Sequence, residues 1–219
     1  MDFVIGADVW KGRWVGAGLD ADGIRWIRSF DTFAALLRED RDNSTVIGVD
    51  IPIGLPENGR RECDLEGRQR LGRRRATLFL TPPRPVLTAA TYAEARRTAV
   101  ALTGHSVSAQ SFALRSKILE VEPFAAADAR IHEVHPELAF ASMSGAPLAS
   151  AKTTWTGQME RRRLLAAEGL RIADDVGAAG AAAPDDIIDA VAVAWTARRI
   201  AAGIAERIPP SGSGPAIWS

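Results

Sequence analysis

The chain has 219 residues, 47% hydrophobic and 25% charged, enough for one sizeable α/β domain with a substantial core. Lys plus Arg and Asp plus Glu both total 27, so bulk cationic attraction to nucleic acid is excluded and any such contact needs a local basic patch. The one cysteine, Cys63, excludes an intrachain disulfide framework and suits a reducing compartment.

The N-terminal stretch MDFVIGADVW has no basic region ahead of a long apolar run, so no signal peptide is expected. No run approaches the length of a membrane span, so the expected location is cytoplasmic, with no membrane partner. Phe3–Asp8 (FVIGAD) reads as a short buried strand, Arg13–Asp20 as a second and Gly23–Phe30 as a third. Asp20, Asp22 and Gly23 supply turn chemistry, which predicts an antiparallel meander. Asp31 is placed to cap a helix through TFAALLRED, whose apolar residues recur at helical spacing. Ser44–Pro52 (STVIGVDIP) reads as a fourth, buried strand. The helix then crosses over, so that strand four runs parallel to strand one. Asp8 and Asp50 fall side by side at C-terminal strand ends, the edge where open α/β sheets bind ligands.

Residues 55–128 are rich in arginine and proline and read as a helical insertion, or cap, over that edge. Its expected helices run over Thr91–Leu102 and Ala109–Phe124. Ala129–Glu137 (ARIHEVHPE) reads as the fifth strand, with Pro136 starting the next helix. Gly157–Leu170 reads as an amphipathic helix and Asp185–Gly203 as the last long one. The tail PPSGSGPAIWS reads as turns.

Asp186 and Asp189 stand three residues apart at the start of the last helix and share one of its faces. Asp185 suits capping, but Asp189 leads directly into an apolar stripe, where a charge needs a partner. Together, Asp8, Asp50, Asp186 and Asp189 form a candidate catalytic set. Like charges gathered in one place repel unless a cation joins them. Oxygen-only ligands suit Mg²⁺ or Mn²⁺, and two such ions can stabilise the attacking and leaving oxygens of a phosphoryl displacement. In EVHPE, Glu133, His135 and Glu137 alternate, so on a strand they share a face. Beside strand four, Glu133 is a candidate extra catalytic ligand, and His135 is placed to orient a water.

The strand, meander, helix and strand order resembles the ribonuclease H fold, and DDIIDAVAVAW is similar to the C-terminal helix motif of its RuvC-like branch. That branch's acids carry over by motif to Asp8, Asp50, Asp186 and Asp189 as catalytic and metal-holding residues. Asp50 stands where RuvC-type enzymes often carry Glu. Six blocks, VDIPIGLP, GRRECD, LGRRRATLFLTPPR, EVHPELAF, GQMERRRLL and DDIIDAVAVAWTARR, resemble the prokaryotic family called domain of unknown function 429. That family is described as predicted ribonuclease-H-fold nucleases. The resemblance implies a three-layer α/β fold: a mixed five-stranded sheet of order 3-2-1-4-5, helices on both faces, and a helical insertion after strand four.

The basic residues supply candidate substrate contacts: Lys11, Arg60, Arg61, Arg73, Arg74, Arg75 and Lys152, with His135 beside them. Arg forks suit phosphate, so the expected partner is DNA or RNA. Trp10 and Trp14 would stack on bases if exposed, although Trp14 fits a core position. The expected activity is metal-dependent phosphodiester hydrolysis. The competing readings are a catalytically inactive binding or scaffold protein of the same fold and, from GADVWKGRW, an actin-like or sugar-kinase-like phosphotransferase. The sequence leaves the oligomeric state open.

Overall fold

Three strands rich in β-branched and aromatic residues fold back on one another at the start of the chain: β1 (Val4–Trp10), β2 (Arg13–Asp20) and β3 (Gly23–Phe30). The computed structural model describes residues 3–40 and 44–219. Lys11 and Gly12 form the β1–β2 turn with φ of 46° and 75°, the positive values that a two-residue hairpin uses. Helix α1 (Phe33–Arg38) crosses over, and β4 (Val46–Val49) returns parallel to β1, with Val4 opposite Val46 and Ala7 opposite Val49.

The insertion follows as α2 (Glu62–Leu71), a 3₁₀ turn at Gly72–Thr77, α3 (Arg84–Leu87), α4 (Tyr92–Thr103), α5 (Ala109–Ala113) and α6 (Arg115–Ala127). Then come β5 (Ile131–Glu133), α7 (Pro136–Ser144), α8 (Trp155–Ala167) and α9 (Pro184–Ala201). A small hairpin, β6 (Arg207–Ile208) with β7 (Ile217–Trp218), closes the chain. The five-stranded sheet has the order β3-β2-β1-β4-β5, parallel at β1-β4-β5 and antiparallel at β1-β2-β3. This mixed order, flanked by helices, is the one expected. Among the described residues, no helix is long and apolar enough to cross a membrane.

The strand period of two divides the core. Ile5, Ala7, Ile47 and Val49 pack on one face with Phe33 and Leu36 of α1 and Ile118 and Val121 of α6. Val4 and Val46 pack on the other with α9, Phe140 of α7 and Leu165 of α8. Gly6 and Gly48 pair across β1 and β4 and lie directly under α9. A Cβ on Gly6 would stand 2.1 Å from the Ala194 nitrogen and 2.4 Å from the Ala190 oxygen; one on Gly48 would meet Val193 at 2.8 Å. Two glycines below and small residues above let α9 sit against the backbone of the sheet.

Several local expectations are corrected. Strand β1 runs on through Asp8 to Trp10, so Asp8 lies two residues inside its strand. Thr32, not Asp31, caps α1, accepting from the Ala35 N–H at 3.1 Å; Asp31 is exposed and pairs with Arg13 at 2.8 Å. The helix expected over 109–124 breaks at Leu114, where the Arg115 guanidinium takes the Phe112 carbonyl at 3.2 Å and covers the Phe112 ring. The tail forms a hairpin because Arg207 gathers the Pro209, Ser211 and Gly214 carbonyls of its loop. Trp14 is wholly buried against Phe33, and Trp10 is buried too, so neither offers a face to a base.

Gly6→Ala tests the close approach of α9. The added methyl meets backbone, which cannot swing aside, so urea denaturation is expected to show a loss of about 3 kcal/mol or more, or no folded protein. A loss under about 1 kcal/mol would show that α9 has room to lift.

Candidate functional site

Four aspartates meet where α9 begins over β1 and β4. Asp8 follows Val4 and Gly6 on the face that α9 covers, and it is buried. Asp50 is the first residue beyond β4; its N–H donates to the Ala7 carbonyl at 2.9 Å, which extends the parallel pairing and sets Asp50 beside Asp8. Pro184 starts α9, Asp185 and Asp186 occupy its first turn, and Asp189 lies one turn on, only 2% exposed. All of Asp8, Asp50, Asp186 and Asp189 line one cavity of about 410 Å³. Its roof comes from the insertion, through Ala76–Phe79, Gln110 and Leu114.

Burial and mutual repulsion dominate the electrostatics. Burial, and then the charges of Asp50 and Asp189, hold the Asp8 carboxyl well above the usual carboxylate range. Asp50 is pushed up to about 8, first by burial and then by Asp189. Asp186 rises to about 6, first by burial and then through its neighbour Asp185. Burial also raises Asp189, against the pull of Lys152. The Lys152 ammonium donates to Asp189 Oδ2 at 2.5 Å and lies 4.0 Å from Asp185 Oδ2. Burial disfavours its charge, but Asp189 and Asp8 more than offset that, so it stays protonated. Lys152 was expected on substrate phosphate; here it is the internal cation of the cluster.

The donor set is hard oxygen, as Mg²⁺ or Mn²⁺ requires. Asp189 Oδ1 is buried with no hydrogen-bond partner, an atom a cation would satisfy. Among the described residues, no three His, Cys, Asp or Glu side chains already stand as a ligand group. Lys152 holds the other oxygen, Oδ2, so Oδ1 is open without displacing it.

Glu133 and Arg61 line the same cavity as the aspartates but are bonded to each other. Glu133 pairs with Val49, which places it on the sheet face opposite Asp8. Both its oxygens are held by Arg61, at 2.6 and 2.8 Å, and one also accepts the Ile53 N–H at 2.7 Å. Arg61 is buried, forked between Glu133 and Asp64, and donates to the Ile53 carbonyl at 2.9 Å. All its donors are committed, so it cannot also bind phosphate. Asp64 in turn accepts the Thr81 N–H at 2.7 Å. This clamp joins α2, the loop after β4, the Thr81 segment and β5.

The alternation expected through EVHPE stops at Glu133, because Pro136 turns the chain into α7. Glu137 is buried and bonded by the buried Arg161 at 2.6 Å, with Arg74 at 3.3 Å. Arg74 thus makes one long contact within the protein, and its Nε is buried without a partner. His135 does line the cavity. Its Nε2 faces the Thr77 carbonyl at 3.3 Å, so the proton sits on Nε2, and Nδ1 is left as a buried acceptor without a partner. Burial lowers its pKa to about 4, which keeps the ring neutral. Lys11, exposed at the hairpin tip, is near enough to pull the Asp186 pKa down. Arg73 and Arg75 are exposed and, like Arg60, do not line this cavity. Asp64 and the roof residues were not singled out from sequence; the only signal for Asp64 was its place three residues after Arg61.

A mixed α/β sheet with a buried aspartate cluster at its parallel edge defines the class. Residues 6–212 match a family described as "Protein of unknown function (DUF429)", and the chain belongs to that family. No curated protein matches it.

Two outcomes follow from this geometry. Arg61→Met leaves Glu133 and Asp64 buried without a cation, and denaturation is expected to register a loss of about 3–5 kcal/mol. The pH dependence follows from Asp50, whose pKa is about 8 when folded and near 4 when unfolded. Between those values the folded state holds a proton that the unfolded state has released, so stability falls as pH rises through this window and levels off above it. In metal-free buffer, Asp50→Asn is expected to flatten that slope and to melt above the native chain near pH 8. An unchanged slope would contradict the raised pKa.

Proposed function

We propose that this chain is a metal-dependent phosphodiesterase acting on nucleic acid, built on a ribonuclease-H-like sheet and working in the cytoplasm. The observation that carries the reading is the convergence of Asp8, Asp50, Asp186 and Asp189 on one roofed cavity, in which they raise one another's pKa values. Nothing in a purely structural role calls for four acids at such a point. These four residues would hold Mg²⁺ or Mn²⁺, which when bound supplies charge stabilisation at the phosphoryl group.

The remaining roles belong to the chain's own side chains. Lys152, released from Asp189, is placed to meet a phosphate oxygen in the same cavity. Neutral His135 offers a bare Nδ1 that can accept a hydrogen bond from a water and orient it. Lys11, Arg73 and Arg75 are exposed cations suited to backbone phosphates outside the cavity. The roof over the aspartates limits water and strengthens each charge interaction beneath it.

A second reading is a binding protein without turnover. It is favoured by Lys152, which already gives the cluster a cation, and by the lack of a ready ligand group among the described residues. The phosphotransferase reading gains nothing from the turn after β1: Lys11 and Gly12 alone are too short to wrap nucleotide phosphates.

The test is cleavage of labelled single-stranded DNA and RNA with Mn²⁺ or Mg²⁺. The native chain is expected to cut at least one, EDTA to stop it, and Asp50→Asn or Asp186→Asn to slow it about a hundredfold or more. Cleavage that persists undiminished in Asp186→Asn would overturn the reading. A native chain inert on both polymers would favour the binding protein.

A further inference from the structure

We propose that a second cavity, inside the helical insertion, binds the nucleotide unit next to the phosphodiester that is cut, so that the substrate is single-stranded. This rests on the nuclease reading and narrows its substrate class. The second cavity measures about 430 Å³ and shares Ala76, Phe79 and Gln110 with the aspartate cavity as a common wall. That volume falls within the roughly 300–1,000 Å³ of small-molecule sites.

Two of its lining residues point to a ligand. Arg60 is half-buried, and its guanidinium makes no hydrogen bond or ion pair among the described residues. Thr81 is 2% exposed, and its hydroxyl has no partner. A buried hydroxyl without a partner is unfavourable and rare, and a ligand that bonds it removes the penalty. The lining is otherwise mixed, with Phe79, Pro82, Pro83 and Val107 as apolar surface and Ser106, Ser108 and Ser111 as hydroxyls.

A cation, a buried hydroxyl and apolar walls together match a nucleotide. The phosphate meets Arg60, the flat base lies against the apolar wall, and a base or sugar edge meets Thr81. The register between the two cavities is fixed by the Arg61 clamp: the Thr81 N–H is held by Asp64, and Arg61 joins Asp64 to Glu133 at the edge of the aspartate cavity. A base has to leave a duplex stack before it can enter such a cavity, so paired nucleic acid is disfavoured.

The test is fluorescence anisotropy with a labelled single-stranded oligothymidylate or oligouridylate, in EDTA so that nothing is cut. Arg60→Gln is expected to weaken binding about tenfold and the isosteric Thr81→Val about threefold. A duplex of the same length is expected to bind at least about tenfold more weakly than the single strand. Thermal melting of both variants near the native value shows that the fold is intact. Native-like binding by both folded variants, equal binding of duplex, or no binding by the native chain would each overturn the inference. Cleavage lost in Asp186→Asn, with oligonucleotide binding unaffected by Arg60→Gln and Thr81→Val, would overturn the cavity inference and leave the nuclease reading standing. Binding that depends on Arg60, with cleavage indifferent to Asp186, would overturn the nuclease reading and leave the cavity as a nucleotide site with no cut phosphodiester beside it.

Discussion

Everything at this site depends on how closely α9 lies on β1 and β4. Gly6 and Gly48 have no side chains, and α9 sets Ala190 and Ala194 over the first and Val193 over the second. A helix held at the usual distance by larger side chains would keep its first turn away from the strands. Here the first turn arrives directly over Asp8 and Asp50, carrying Asp186 and Asp189 with it. The packing of the core and the gathering of the carboxylates are therefore one feature. The helix is apolar along its length because it is buried, and acidic at its start because that end meets the site.

Such a cluster opposes folding. Raised carboxylate pKa values mean that native contacts disfavour the charged forms, and Lys152 offsets only part of that. Destabilising charge at a cavity is the pattern expected where function is selected over stability. The surroundings supply the compensation. Arg61 is locked between Asp64 and Glu133, and Arg161 is locked on Glu137. Both cations are buried and act as struts beside the cavity: Arg61 has every donor committed, while Arg161 holds Glu137 and leaves its Nε without a partner.

Much of the architecture was legible in the sequence. The bounds of β2 and β3 follow from alternation between clear turns, and one helix between meander and strand fixes a parallel β4. That topology alone set Asp8 beside Asp50 and aimed the acidic start of α9 at them. The arginines were not legible. In GRREC and LGRRRA every guanidinium looks alike, and what separates buried Arg61 from exposed Arg73 and Arg75 is Glu133, 72 residues further on. Glu133 falls on the fifth strand as expected, but the strand ends there, so the alternation does not carry on to His135 and Glu137. The cap over that edge was legible as a whole, but not which of its residues line the cavity, since its 3₁₀ turn and short helices have no strong period.

Asp8, Asp50, Asp186 and Asp189 are proposed to form one site for a divalent cation. Calorimetric titration of the protein alone with Mn²⁺, in buffers of different ionisation enthalpy, tests it most directly. The expected result is binding that Asp8→Asn and Asp186→Asn both weaken strongly, with protons released as the raised carboxyls ionise on the metal. No binding at millimolar Mn²⁺, or binding indifferent to both substitutions, would contradict it.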